Sequence, residues 1–262
     1  MRKIAFFLVI LSAAVLPVIA QNAAPSAAEI VSRAVNKINA DTMSTRSRMV
    51  ITAKDGSTSE RVIDQYSKDD AKGNARLVIV FQNPATVRGT RFLTIENSSG
   101  NSDQWIFLPG IGKVRRIVAS ESGGSFMGSD FSYDDMSVMG RDVDLDTHTI
   151  LREETLEGNA CYVIQSLPKT SDFQYSKTII WIDKANYRVY RREMYDKRGT
   201  LAKIMETTLY KNVQGFDTPS QTKLTTVSAG TFTTIYIDVV KYNDPIPEGV
   251  FTAAYLETGR VR

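Results

Sequence analysis

The sequence predicts a mainly β protein with helices (α+β class), a single antiparallel sheet or barrel preceded by one amphipathic helix. Three observations carry this expectation. Strand-forming runs recur along most of the chain, separated by turn signals such as Asp55-Gly56, Pro109-Gly110 and Ala229-Gly230, the spacing of hairpin-linked strands. Sustained helical periodicity is confined to the start of the chain. No repeat, linker or low-complexity tract divides the sequence after residue 20, so 21–262 is expected to fold as one domain.

The first twenty residues stand apart. Arg2 and Lys3 precede an apolar stretch over 4–18, broken only by Ser12 and Pro17, and Val18-Ile19-Ala20 leads to a polar Gln21. A charged start, an apolar middle and a small-residue exit describe a secretory leader, expected to be cleaved near Ala20–Gln21. The apolar stretch is shorter than the roughly 20 residues a membrane span needs. No Cys follows it to accept a lipid, so the mature chain is expected to be released into solution outside the cytoplasm.

Ser26 and Glu29 have capping-box spacing, and Ile30, Val31, Ala34, Val35 and Ile38 follow at helical intervals, which predicts a helix over 27–39. The period then changes. Met49, Ile51 and Ala53 alternate with Arg48, Val50 and Thr52, Asp55-Gly56 turns the chain, and 61–66 returns. Further strands are expected over 76–81, 90–96, 104–108 and 113–119. The pattern breaks over 120–140, rich in Gly, Ser, Asp, Met and Phe, which reads as a long loop with a short helix near 133–138. Strands resume over 147–154, 160–166, 175–182, 187–195, 201–211, 222–227 and 232–242. Residues 77–81 and 105–108 are apolar at consecutive positions, so both faces of those strands are apolar. Either other elements cover both faces or one face lines an apolar cavity, and periodicity does not decide between them.

Charge and chemistry narrow the function classes. There are 32 Lys and Arg against 29 Asp and Glu, and losing Arg2 and Lys3 leaves 30 against 29. Basic residues occur in small separated groups, not the stripe that a nucleic-acid binder presents. Cys161 is the single cysteine, within an apolar strand-like run, so no intramolecular disulfide can form and the thiol reads as buried. His148 is the single histidine. Gly123-Gly124-Ser125-Phe126-Met127 begins like a nucleophile elbow but has Met127 in place of the final glycine. Asp142, Asp144, Asp146 and Glu153 have EF-hand ligand spacing, but Thr147 occupies the glycine position. The same alternation describes a strand with one wet face. Asp130, Asp134 and Asp135 form a second acidic group. No catalytic residue, metal or cofactor is assigned.

One stretch carries a family resemblance. It runs Phe81-Gln82-Asn83-Pro84, Gly89-Thr90-Arg91-Phe92-Leu93, Trp105-Ile106-Phe107-Leu108-Pro109, Lys113-Val114-Arg115-Arg116-Ile117, then Ser125-Phe126-Met127-Gly128-Ser129-Asp130-Phe131 through Asp135. In this order and spacing it resembles the outer-membrane lipoprotein-sorting protein family, related to the LolA and LolB carriers. Trp181-Ile182-Asp183, Asp196-Lys197-Arg198-Gly199 and 246–251 extend the likeness more weakly. The resemblance implies a half-open, curved antiparallel β-barrel of LolA-like type wrapped around helices. It implies a periplasmic carrier that shelters the acyl chains of a lipid or acylated lipoprotein on the way to the outer membrane. Its donor would be an inner-membrane transporter and its acceptor would lie in the outer membrane. The residues expected to line the lipid-binding cavity are Phe81, Phe92, Trp105, Phe107, Phe126, Met127, Phe131 and Met136. The 120–140 loop, with Met139 among its apolar residues, is expected either to form a lid over the cavity mouth or to plug the core as a fixed loop. Two other readings are a calcium-dependent, phospholipase-like enzyme using the same groove and a surface-exposed binding protein or adhesin.

Overall fold

The computed structural model describes residues 24–97, 102–138 and 141–261. The expected leader over 1–20 and Met139 lie outside the described residues. Helix α1 (Ala27–Val35) is followed by β1 (Thr42–Thr52), β2 (Thr58–Asp69), β3 (Ala75–Asn83), β4 (Arg91–Glu96), β5 (Ser102–Leu108) and β6 (Lys113–Ile117). After helix α2 (Asp135–Val138) come β7 (Asp146–Leu156), β8 (Asn159–Pro168), β9 (Lys177–Asp183), β10 (Val189–Tyr195), β11 (Leu201–Val213), β12 (Phe216–Thr226) and β13 (Thr231–Tyr242), then helix α3 (Ala253–Thr258).

All thirteen strands form one sheet in the order β6-β5-β4-β3-β2-β1-β13-β12-β11-β10-β9-β8-β7. Every pairing is antiparallel, so the sheet is two meanders joined where β1 lies against β13, with Met43 opposite Tyr242 and Thr52 opposite Phe232. This order leaves β6 and β7 as the two free edges. They are consecutive in the chain, so segment 118–145 has to cross from one edge of the sheet to the other.

Side chains on one face converge. Phe81, Phe92, Ile106 and Ile117 from one wing share a buried cluster with Met194, Met205 and Leu224 from the other. The sheet therefore curls toward this inner face into an open, half-closed barrel. Strand alternation sends Val78, Val80 and Leu93 to the outer face, where Ile246, Val250, Phe251 and Leu256 cover them. A clamp fixes this cover: Lys68 and Arg76 donate to Glu248 at 2.5 and 2.7 Å, and the Arg76 guanidinium stacks on Phe251 at 4.7 Å. The consecutive apolar residues of β3 and β5 thus have a cover on each face.

Helix α1 starts with a reciprocal cap. The Ser26 backbone N–H donates to Glu29 Oε2 at 2.7 Å, and the Glu29 backbone N–H donates to Ser26 Oγ at 3.2 Å. Its last helical residue is Val35, with Asn36 as the cap, four residues short of the expected end at 39. Ile30 and Val31 pack on Ile164, Ile180 and Ile182 at the β7 end of the inner face, each worth about 1.5–3 kcal/mol of burial. The expected wrapping around helices is not what fills the interior. Beyond α1 and the four residues of α2, the inner face is occupied by the irregular segment that crosses it, because the β6–β7 connection is the chain at hand there. Among the described residues no helix is long and apolar enough to cross a membrane.

Candidate functional site

The crossing segment folds back on itself as a small hairpin. Backbone N–H groups of Asp134 and Tyr133 donate to the carbonyls of Ser122 and Gly124, and the Phe126 N–H donates to the Phe131 carbonyl at 2.7 Å. Ser129 N–H closes the tip onto the Phe126 carbonyl. Met127 and Gly128 lie between them with φ of 53° and 78°, the two left-handed residues of a type I′ turn. Gly128 is suited to that position and Met127 is not, so the tip holds some strain.

The tip places its aromatic side chains on the sheet. Phe126 is 0% and Phe131 1% exposed. The Phe126 ring meets Phe92 at 5.1 Å, Tyr133 at 5.5 Å and Phe81 at 5.7 Å between centroids, mostly edge-on or tilted. Met136 is buried in the same cluster and Met127 packs against it half-buried.

Two buried carboxylates pin the hairpin to the far wing. Asp130 accepts from the hydroxyls of Thr226 at 2.6 Å, Thr231 at 2.5 Å and Thr233 at 2.7 Å. Asp135, 0% exposed, accepts from Lys203 Nζ at 2.5 Å, the Tyr175 hydroxyl at 2.6 Å, Gln174 Nε2 at 3.1 Å and the Ser132 backbone N–H at 2.8 Å. A buried charge needs such a shell, because leaving it unpaired is costly. Burial and the neighbouring negative charges push the Tyr175 hydroxyl far up, so it stays a proton donor.

An open cleft accompanies the covered inner face. A cleft of about 600 Å³ lies between the two edges, beside the hairpin base, with Glu96, Asp103, Gln104, Arg116, Asp134 and Arg141 on its walls. It is polar. Burial raises the carboxyls of Glu96 and Asp134 above their ordinary values. The apolar surface is instead the inner face beneath the hairpin, and in this structure the hairpin fills it.

The eight residues expected at one cavity therefore divide. Phe81, Phe92, Phe126, Met127, Phe131 and Met136 come together on the inner face. Trp105 and Phe107 do not join them. They pack on the outer face with Val78, Val80 and Leu93 under the C-terminal cover, because Trp105 lies opposite Leu93 and Ile106 opposite Phe92 in the β4–β5 register. The hairpin is also no rim over a mouth, since its aromatic rings lie at the centre of the interior. Sequence reasoning missed Lys203, Tyr175, Gln174 and the three threonines. The available signal was the pair of carboxylates inside an aromatic run, together with Thr231 and Thr233 on one face of a strand.

The groups weighed for catalysis are otherwise engaged. Ser125 Oγ donates to the Ser129 carbonyl at 2.6 Å, in the hairpin itself. His148 Nε2 lies 2.9 Å from the Val143 carbonyl, which can only accept, so Nε2 carries the proton and Nδ1 accepts from Ser166 Oγ at 2.7 Å. That Ser–His pair borders a space of about 30 Å³, room for a water and not a substrate. Asp142 caps a turn by accepting from the Asp144 N–H at 3.0 Å, and Asp146 pairs with Arg141 at 2.9 Å. Among the described residues no three His, Cys, Asp or Glu side chains gather as metal ligands. The Cys161 thiol is buried, and burial raises its pKa.

Comparison with known proteins places this geometry. A family model described only as an uncharacterized protein matches residues 73–258. A DUF1329 family protein from Desulfovibrio piger superposes with a TM-score of 0.82 at 27% identity, covering 88% of this chain and 97% of its own. A putative outer membrane lipoprotein-sorting protein domain from Vibrio parahaemolyticus gives 0.82 at 24% identity, covering 88% and 98%. A LolA superfamily protein from Nitrosomonas europaea gives 0.71 at 20% identity, covering 88% and 100%. A search of curated proteins finds no match. The structural neighbours are thus DUF1329, lipoprotein-sorting and LolA superfamily proteins, and the open curved sheet is theirs.

Proposed function

We propose that this chain, which belongs to the family whose model matches residues 73–258, is a carrier that shelters acyl chains of a lipid or acylated lipoprotein against the inner face of its sheet. One observation carries the reading. The inner face is apolar across β3, β4 and β5, yet it is closed by a hairpin from an interstrand connection, pinned at a few points, instead of by another layer of sheet or long helix. An acyl chain would take the space of Phe126, Phe131 and Met136 as the hairpin swings out.

The energetics suit such an exchange. At about 0.8 kcal/mol per methylene, a sixteen-carbon chain in water is unfavourable by on the order of 12 kcal/mol. A carrier offsets most of this yet has to release the chain, and a hairpin that re-covers the same apolar surface supplies the return force. The chain does this as a non-enzyme, in the periplasm after loss of 1–20, with residues 21–262 acting as one domain. It receives cargo from an inner-membrane transporter and passes it toward the outer membrane. The neighbours described as lipoprotein-sorting and LolA superfamily proteins support this by their fold.

The test is mass spectrometry of lipids co-purified with the mature protein, with titration of a fluorescent acyl probe. The expected outcome is bound lipid and saturable probe binding that natural lipid reverses. Folded protein that neither retains lipid nor binds the probe would overturn the reading.

A further inference from the structure

Resting on that carrier reading, we infer that the acyl ligand ends in an anionic head group, a carboxylate or a phosphate ester, which takes the place of the Asp135 carboxylate on Lys203, Tyr175 and Gln174. The hairpin is itself built like such an amphiphile. It offers the sheet an apolar part, Phe126, Phe131 and Met136, and beside it one carboxylate held by an ammonium, a phenol and an amide.

The charge balance favours an anion. Lys203 is only 15% exposed and its ion-pair partner is Asp135. Arg192 lies diagonally from it across the β10–β11 pair, since Arg192 is opposite Met205 and Lys203 opposite Met194. If the hairpin withdraws, Asp134 and Asp135 leave together. Lys203 and Arg192 stay on the sheet, and Arg141 remains with Asp146. The Lys203 ammonium then loses its ion-pair partner. A neutral amphiphile would leave Lys203 desolvated without a partner, whereas an anionic head restores the ion pair. In the adjoining cleft Asp103 is already paired with Arg116.

The experiment is displacement of a fluorescent acyl probe by four amphiphiles of equal chain length, a carboxylate, a phosphate monoester, an alcohol and an amine. Wild type is compared with Asp135→Asn, Lys203→Gln and the double variant Asp135→Asn/Lys203→Gln. The double variant leaves no buried charge alone if Lys203→Gln folds poorly. In wild type the carboxylate and phosphate are expected to compete at least ten-fold better than the alcohol, and the amine worst. The better of the two anions identifies the head. Asp135→Asn tightens binding of the anions, and both Lys203 variants lose the preference. Equal competition by all four head groups in wild type, or a preference that survives in the double variant, overturns the inference and leaves the carrier reading intact. Failure of every amphiphile to bind folded wild type and folded Asp135→Asn overturns the carrier reading itself.

Discussion

Phe126→Ala is the perturbation that separates a movable hairpin from a fixed core. The ring is fully buried and meets three other aromatic rings between 5.1 and 5.7 Å. Truncating a buried Phe to Ala costs about 3–5 kcal/mol. If the hairpin docks as a separate unit, this cost falls on docking alone. A loss of about 3 kcal/mol raises the open-to-closed ratio by on the order of 100-fold, and the apparent affinity for a ligand of the open form rises with the open fraction. Hydrogen exchange read by mass spectrometry follows this locally. Peptides over 122–135 are expected to lose protection while β3 and β12 keep theirs, and the acyl probe is expected to bind more tightly on the same preparation. The opposite pattern would refute the reasoning. It consists of equal loss of protection in 122–135, β3 and β12, a melting temperature lower by roughly 6–20 °C at about 2–4 °C per kcal/mol, and no gain in probe affinity.

Four further outcomes follow from the same geometry. Asp130→Ala strands the hydroxyls of Thr226, Thr231 and Thr233 and should weaken hairpin docking by at least about 2 kcal/mol, seen as faster exchange over 122–135. His148→Ala removes two hydrogen bonds and should cost about 1–3 kcal/mol of stability in urea, with acyl-probe affinity unchanged. Cys161, buried with a raised pKa, should resist a thiol reagent until the protein is denatured. Hydrogen bonds from Arg76 and Lys68 hold the Glu248 carboxyl down at about 2, against an ordinary 4.5. A lowered folded-state pKa contributes stability above the ordinary value that is lost as pH falls from there through about 2. Limited proteolysis of 246–258 should therefore speed up across that window in wild type and show no such step in Glu248→Gln. Glu96 and Asp134 act with the opposite sign, because acidification relieves their burial penalty.

Local pattern by itself determined a good deal here. Alternation and turn residues located most strands, as with β1 and β2 around Asp55-Gly56. The Ser26–Glu29 spacing located the start of α1, and the break in alternation over 120–140 located the segment that connects the two sheet edges. These are signals between near neighbours, fixed by backbone geometry and short-range hydrogen bonds. The tertiary structure alone decided which strand ends are edges, since the β1–β13 pairing joins residues about two hundred positions apart. That pairing makes the β6–β7 connection cross the interior, so Phe126 and Phe131 became its filling instead of its rim. It also set the phase of each strand. Alternation says that Trp105 and Ile106 face opposite ways, but only the register against β4 and the curl of the whole sheet say which of them faces in. The partners of the two pinning carboxylates were equally silent, because Asp130 reaches Thr233 and Asp135 reaches Lys203 across 103 and 68 residues of chain. A hydrogen bond over that separation leaves no periodicity to read, and exists only once the sheet has closed around it.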